Sequence, residues 1–133
     1  MIRYRLAQPE VLLETPLARV MSFHKSKGLT AEVVVLAGLI EDLTPRRTAG
    51  LAPGERAAEL QENRRLCFVG MTRTTRVLVL STYSQLPYQL VMQMNAPHGP
   101  FVGPGNVRTI ASTFLDGLGP ELPAAIRGVE WQY

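Results

Sequence analysis

An uninterrupted apolar run, Val33-Val34-Val35-Leu36-Ala37, constrains the fold of this chain more than any other segment. Its length and its β-branched residues are typical of a strand that is buried on both faces of a parallel sheet. A second apolar run, Val77–Leu80, predicts another buried strand. The alternation of strand, helix and strand up to Ser81 favours an α/β fold with right-handed crossovers and a mostly parallel sheet.

The segment from Gly54 to about Thr74 predicts the helix between these strands. Glu55 and Glu59 lie in its early turns, where carboxylates suit the positive end of the helix dipole. Because the back half is apolar on nearly all sides, we expect the helix to enter the core as it approaches Arg73. One stripe at helical spacing contains Leu60, Arg64, Cys67 and Met71, and towards the C-terminal end the apolar surface is widened by Leu66, Phe68 and Val69.

The rest of the chain is less regular. Residues 1–16 give no clear element and are interpreted as a lead-in. Leu17–Phe23 predicts a strand, and residues 17–85 are interpreted as one half of an α/β domain. Residues 86–133 are interpreted as a loop-rich, irregular C-terminal extension.

That extension is expected to contain one short helix. Leu86–Gly105 is rich in Pro, Gly, Gln and Met without periodicity, which predicts a long loop. Val107–Leu115 predicts an amphipathic helix with Asn106 as its N-cap. The inward side chains of that helix would be Val107, Ile110 and Phe114.

Composition excludes several classes of protein. The chain has 133 residues and 46% hydrophobic content, so one folded domain is expected. Its net charge of +3 allows a polyanionic partner without requiring one. The single Cys67 excludes an internal disulfide, and the Cys and His spacing offers no metal site. With no secretory leader and no apolar run of membrane-spanning length, a cytoplasmic location is the default expectation.

The segment Ser22–Gly28 collects the groups that handle phosphates, at the point where the strand Leu17–Phe23 should end. It contains the only two lysines of the chain, Lys25 and Lys27, and two hydroxyls. Cationic side chains, hydroxyls and backbone N–H groups can together bind phosphate oxygens. The order Lys27-Gly28 does not match a phosphate-binding P-loop. On the residues alone, a solvated basic turn is the more ordinary interpretation.

Two segments together resemble a known family, the superfamily-one helicases of the UvrD/Rep type. Their motif V and the strand and loop after it are similar to Phe23-His24-Lys25-Ser26-Lys27-Gly28-Leu29, Val33–Leu36 and Gly38-Leu39-Ile40-Glu41-Asp42. Their motif VI is similar to Glu62-Asn63-Arg64-Arg65-Leu66-Cys67-Phe68-Val69-Gly70-Met71-Thr72-Arg73. The resemblance covers about residues 17–85 and implies the C-terminal half of a RecA-like domain, a domain of the P-loop NTPase type.

The resemblance implies roles for individual residues. Arg73 would be the catalytic arginine finger that reaches the γ-phosphate held by another domain. Arg65 or Arg64 would support that site. The nucleotide would be approached by Gly28, Leu29 and Thr30. Single-stranded DNA would be contacted by Ser22, His24 and Lys25.

Each role has a plainer alternative. Arg73 would also suit the C-terminal end of a helix dipole without any catalysis. The stem of Arg64 could cover the apolar stripe of its helix, and His24 could be a hydrogen-bonded turn residue. Two positions depart from the family pattern: Thr30 stands where Glu usually meets the nucleotide ribose, and Thr74 stands where Ala usually follows the arginine.

The 133 residues contain no Walker A lysine and no Asp-Glu pair after a strand, so the chain alone is not expected to hydrolyse ATP. The leading hypothesis is the C-terminal portion of an ATP-dependent DNA helicase or translocase. ATP with Mg would be used only when an N-terminal P-loop domain completes the site, and single-stranded DNA would be a further partner. The alternative is a stand-alone nucleic-acid-binding or regulatory module. A third hypothesis is an interaction protein that forms a homo-oligomer or strand-exchanged dimer through open sheet edges.

Overall fold

The structure is a computed structural model that describes residues 18–131, so the predicted lead-in of residues 1–16 lies outside the described residues. The first half is a strand–helix–strand unit made of β1 (Ala31–Leu36), α1 (Pro53–Met71) and β2 (Thr74–Leu80). β1 and β2 are hydrogen-bonded neighbours and run parallel. The predicted α/β class, both strands and the connecting helix are therefore confirmed.

The helix α1 begins with Pro53, whose fixed φ suits the first helical position. The Glu55 carboxylate accepts a hydrogen bond from the Ala52 N–H at 3.3 Å, which satisfies a donor at the helix start. Near the other end, Cys67 and Gly70 are buried beneath the sheet. Burial raises the pKa of the Cys67 thiol, so the side chain stays neutral. Phe68 is 63% exposed, so the back half of the helix is buried on one side only, not on nearly all sides as predicted.

The sheet is covered on one face only within the described residues. Leu36 is buried with Leu39 and Cys67 beneath α1. On the other face Val33 is 37% and Val35 is 52% exposed. The expectation that β1 is buried on both faces is therefore wrong for the part of the chain that the structure describes, because no second layer packs there.

The predicted strand over Leu17–Phe23 is also wrong. Residues 18–22 form no regular element, and a short 3-10 helix, Phe23–Ser26, follows them. The Ser22 carbonyl accepts the N–H groups of Lys25 and Ser26 at 3.0 and 3.2 Å, which closes this turn. A strand at this position would need a neighbouring strand as its hydrogen-bonding partner, and no strand within residues 18–131 pairs with this segment.

The second half is a small antiparallel sheet with helices. Its strands are β3 (Gln85–Pro87), β4 (His98–Phe101) and β5 (Asn106–Thr109), with β5 in the middle. Its helices are α2 (Tyr88–Met94) and α3 (Thr113–Asp116), and a final 3-10 helix spans Gly128–Glu130.

Two predictions for this half are corrected. Leu86–Gly105 is not a long loop, because it contains α2 and β4 and most of β3. The helix predicted over Val107–Leu115 begins as the strand β5, so Asn106 is not its cap. The real helix is shorter, and the Ser112 hydroxyl caps it by accepting the Phe114 N–H at 3.1 Å.

Contacts between distant segments explain these errors. Val91 of α2 and Val107 of β5 are fully buried with Ile40, which belongs to the loop after β1. Ile40 forms a β-bridge with Ala111, and the Ser112 N–H donates to the Leu39 carbonyl at 3.0 Å. Local periodicity carries no information about such contacts. Within residues 18–131 no helix is long and apolar enough to cross a bilayer.

Candidate nucleotide and nucleic-acid site

The two segments that resemble helicase motifs meet at the amino ends of β1 and β2. The Ala31 N–H donates to the Arg73 carbonyl at 3.0 Å, and Ala31 lies opposite Thr74. Thr30 and Arg73 each come one residue before these paired positions, so they lie side by side. The basic segment was expected at the end of a strand, and it instead precedes one.

Gly28 makes the connection from the 3-10 helix into β1. Its φ is +85°, in the left-handed region that glycine adopts without strain. The next residue, Leu29, donates its N–H to the Ser26 carbonyl at 3.0 Å. This turn leads through the predicted nucleotide-contacting residues Gly28, Leu29 and Thr30 into β1, and Thr30 is the one of the three that lies beside Arg73.

The Arg73 side chain closes the end of α1. Its Nε donates to the Val69 carbonyl at 3.0 Å, and one terminal nitrogen donates to the Thr72 hydroxyl at 3.2 Å. Both bonds are favourable near the negative end of the helix dipole, as the plainer alternative expected. The other terminal nitrogen has no hydrogen bond among residues 18–131. The guanidinium therefore retains donors for an anion.

The neighbouring arginines are engaged elsewhere. Arg65 binds the Glu62 carboxylate through two nitrogens, at 2.8 and 2.7 Å. This hydrogen bonding holds the pKa of Glu62 below its ordinary value and raises the pKa of Arg65. The Arg64 guanidinium lies 5.8 Å from the centre of the Phe114 ring, a cation–π distance. Support of Arg73 by Arg65 or Arg64 stays a prediction.

A second feature is an open groove of about 430 Å³, bounded by the 3-10 helix, the loop after β1, the middle of α1 and the end of α2. Two of the three residues predicted to contact DNA, Ser22 and His24, line it, and Lys25 does not. The arginines of the loop, Arg46 and Arg47, line it too. Neither of these two belongs to a segment that resembles a helicase motif, and in the sequence only their position in the loop after β1 hints at the groove.

The two loop arginines differ in their surroundings. The Arg47 guanidinium lies 3.9 Å from the Asp42 carboxylate. The Arg46 backbone N–H donates to the Asn63 side-chain oxygen at 3.2 Å, which fixes the loop on α1. The Arg46 guanidinium itself makes no hydrogen bond or ion pair with any residue of the described part of the chain. His24 lies near Glu62, since its charge contributes to lowering the pKa of that carboxyl.

These features define the class of protein. Parallel strands joined by a helix, with Arg73 and a basic segment at their shared amino edge, are consistent with part of a RecA-like α/β domain. The family model of the UvrD-like helicase C-terminal domain matches residues 7–85. The chain belongs to this family.

Curated relatives agree with that assignment. The ATP-dependent DNA helicase PcrA of Staphylococcus aureus strain MRSA252 is 38% identical over 61 residues, which are 46% of this chain and 8% of the relative. PcrA of Staphylococcus epidermidis strain ATCC 12228 is 31% identical over 84 residues, which cover 56% of this chain and 11% of the relative. The chain thus spans about a tenth of the length of the relatives it matches.

Proposed function

We propose that this chain is the C-terminal portion of an ATP-dependent DNA helicase or translocase and supplies one side of its ATP site. Arg73 acts as the arginine finger, Arg65 supports it, and Gly28, Leu29 and Thr30 approach the nucleotide. Single-stranded DNA is contacted by Ser22, His24 and Lys25. The partners are the DNA and an N-terminal helicase domain that carries the P-loop.

The chemistry divides between the two sides. The 133 residues contain no Gly-Lys-Ser/Thr loop, and residues 18–131 contain no group of three or more His, Cys, Asp or Glu side chains that could hold a metal ion. ATP and its Mg²⁺ would therefore be held by the P-loop domain. From this chain, Arg73 would exchange its bonds to Val69 and Thr72 for bonds to the γ-phosphate oxygens. A guanidinium in that position stabilises the charge of the transferring phosphoryl group, which is worth about 10³- to 10⁵-fold in rate.

One observation carries the proposal: the hydrogen bond between the Ala31 N–H and the Arg73 carbonyl. It joins the motif V segment to the motif VI segment at a single sheet edge. An edge that presents an arginine with unused donors beside a glycine turn is suited to face a phosphate.

The test uses a chimera, in which residues 22–80 replace the matching segment of S. aureus PcrA. We expect DNA-stimulated ATP hydrolysis by the chimera and a loss of at least about 10³-fold in kcat with Arg73→Ala. Arg76→Ala is the matched control, because Arg76 lies on β2, pairs with Glu32 at 3.8 Å and has no role in the proposed site. A kcat within a few-fold of the parent chimera for Arg73→Ala, in protein that still folds, would contradict the role.

A second function, a stand-alone nucleic-acid-binding module, is favoured by the groove. The groove is formed by this chain alone, whereas the ATP site needs another domain. That function requires salt-dependent binding of single-stranded DNA by the isolated chain, combined with no requirement for ATP. The binding measurements described for Arg46 below examine this requirement.

A further inference from the structure

We propose that the groove binds one nucleotide unit of single-stranded DNA, with Arg46 as its main phosphate ligand. The inference rests on the proposed function, because it takes single-stranded DNA as the partner. It adds a binding residue outside both helicase-like motifs, on the loop that follows β1. It also assigns the apolar lining residues of the groove to the base.

The shape of the groove suits a nucleotide. Its volume of about 430 Å³ lies within the range of small-ligand clefts. Its lining includes polar and cationic residues, among them Ser22, His24 and Arg46. Its lining also includes the apolar residues Leu43 and Leu66. Polar groups that can bind a phosphate and apolar side chains that can pack on the face of a base match the two parts of a nucleotide.

Charge singles out Arg46 among the groups of the groove. Among the residues that the structure describes, Asp42 is the only carboxylate that lines it, and Asp42 lies beside Arg47. The Arg46 guanidinium has no partner within residues 18–131, so its donors are available. Its backbone is fixed, because its own N–H is bound to Asn63 and the preceding Pro45 is buried. A cation on a fixed backbone binds a phosphate with little loss of chain entropy.

The position of the groove favours a DNA strand over the nucleoside triphosphate. None of the residues at the sheet edge, Gly28–Thr30 and Arg73, lines the groove. The segment 22–30 therefore has one end in the groove and its other end beside Arg73. Two separate phosphate-binding places are expected when a protein binds DNA and ATP at the same time.

The experiment measures binding of a fluorescent oligothymidylate of about twelve nucleotides to the full 133-residue chain by anisotropy at several salt concentrations. We expect Arg46→Ala to weaken binding about tenfold and to lower the slope of log Kd against log salt by about 0.7, the value for one lost phosphate contact on a single strand. The matched control is Arg56→Ala, since Arg56 is an exposed arginine of α1 that does not line the groove. It should stay within about twofold of the parent chain.

Two further measurements complete the experiment. One separates the contributions of the base and the backbone of the DNA, and the other tests whether Arg46 binds DNA or the triphosphate of ATP. Leu43→Ser should weaken the binding of the oligothymidylate. An oligomer of the same length without bases should bind more weakly to the parent chain, and Leu43→Ser should not weaken that binding further. A non-hydrolysable ATP analogue should compete equally weakly against DNA on the parent chain and on Arg46→Ala. Stronger competition on the parent chain would mean that Arg46 binds the triphosphate, which overturns the inference.

The failure of this inference differs from the failure of the proposed function. If the parent chain binds DNA and His24→Ala weakens that binding while Arg46→Ala does not, the inference is wrong and the proposed DNA contact stands. If the folded parent chain binds no single-stranded DNA even at low salt, this inference and the proposed DNA contact are both overturned. Circular dichroism establishes that each variant is folded.

Discussion

Gly70 occupies the point at which α1 meets the 3-10 helix. A Cβ atom at this position would lie 2.9 Å from Cδ1 of Phe23 and 3.2 Å from Cδ2 of Leu36. The Phe23 ring therefore packs directly on the backbone of α1. Because Ser22 and His24 are the neighbours of Phe23 in the chain, this contact also positions the groups that line the groove.

We expect Gly70→Ala to destabilise the chain by about 1–3 kcal/mol through overpacking, although alanine is the better helix former by about 1 kcal/mol. DNA affinity should fall with it, because Phe23 must move. Chemical denaturation and oligothymidylate anisotropy measure the two effects. Gly54→Ala is the control: no atom lies within 4 Å of its Cβ position, so it should be neutral or stabilising. Equal stability of the parent and Gly70→Ala would refute the packing argument.

Single residues of the candidate site are only partly readable from sequence. Ser22 and His24 are singled out in the sequence because they belong to a segment with a distinctive order of residue types, and their contact with DNA stays a prediction. Arg46 is not singled out in the sequence, because it differs from Arg47 only in having no carboxylate beside its guanidinium among the described residues. That information exists only after the loop is folded against α1.

Elements with a strong local signal are predicted correctly. β1, α1 and β2 have continuous apolar runs or helical periodicity, and these signals survive in the structure. The elements of the second half are short, and two or three side chains decide how each of them packs. These elements are β3, α2, β4 and β5. Val91 and Val107 are buried because they meet Ile40, which lies far away in sequence. Pattern alone cannot show this.

The exposed face and edges of the two-stranded sheet predict self-association. β1 and β2 have no other strand beside them among residues 18–131, and Val33 and Val35 are exposed on the uncovered face. Exposed strand edges promote pairing with another chain. We expect the isolated chain to exceed its monomer mass of 14.7 kDa in light scattering at micromolar concentration.

The combined change Val33→Thr and Val35→Thr should return the mass towards the monomer, because threonine keeps the β-branched shape while its hydroxyl is solvated. Val20→Thr serves as the control, since Val20 is fully exposed outside the sheet. A monomeric parent chain at all concentrations would contradict this proposal.

At the scale of the whole molecule, the two halves are in direct contact, although the sequence predicts a half-domain followed by an extension. The family match ends at residue 85, close to the predicted boundary between a half-domain and an extension. The structure nevertheless joins the two parts through the loop after β1. The Glu41 N–H donates to the Ile110 carbonyl at 2.9 Å, and the Glu41 carboxylate accepts the Thr113 N–H at 2.9 Å. The loop that lines the groove is thus supported by residues beyond the family match.

This support has a consequence for the order of folding. The contact between Glu41 and Thr113 closes a loop of 72 residues, whereas α1 can form from neighbours in sequence. Contacts of long sequence separation form late, because the chain must first lose the entropy of loop closure. During synthesis on a ribosome we therefore expect α1 to form first. The loop after β1 takes its final shape only when α3 emerges from the exit tunnel, so the nascent chain gains its groove last.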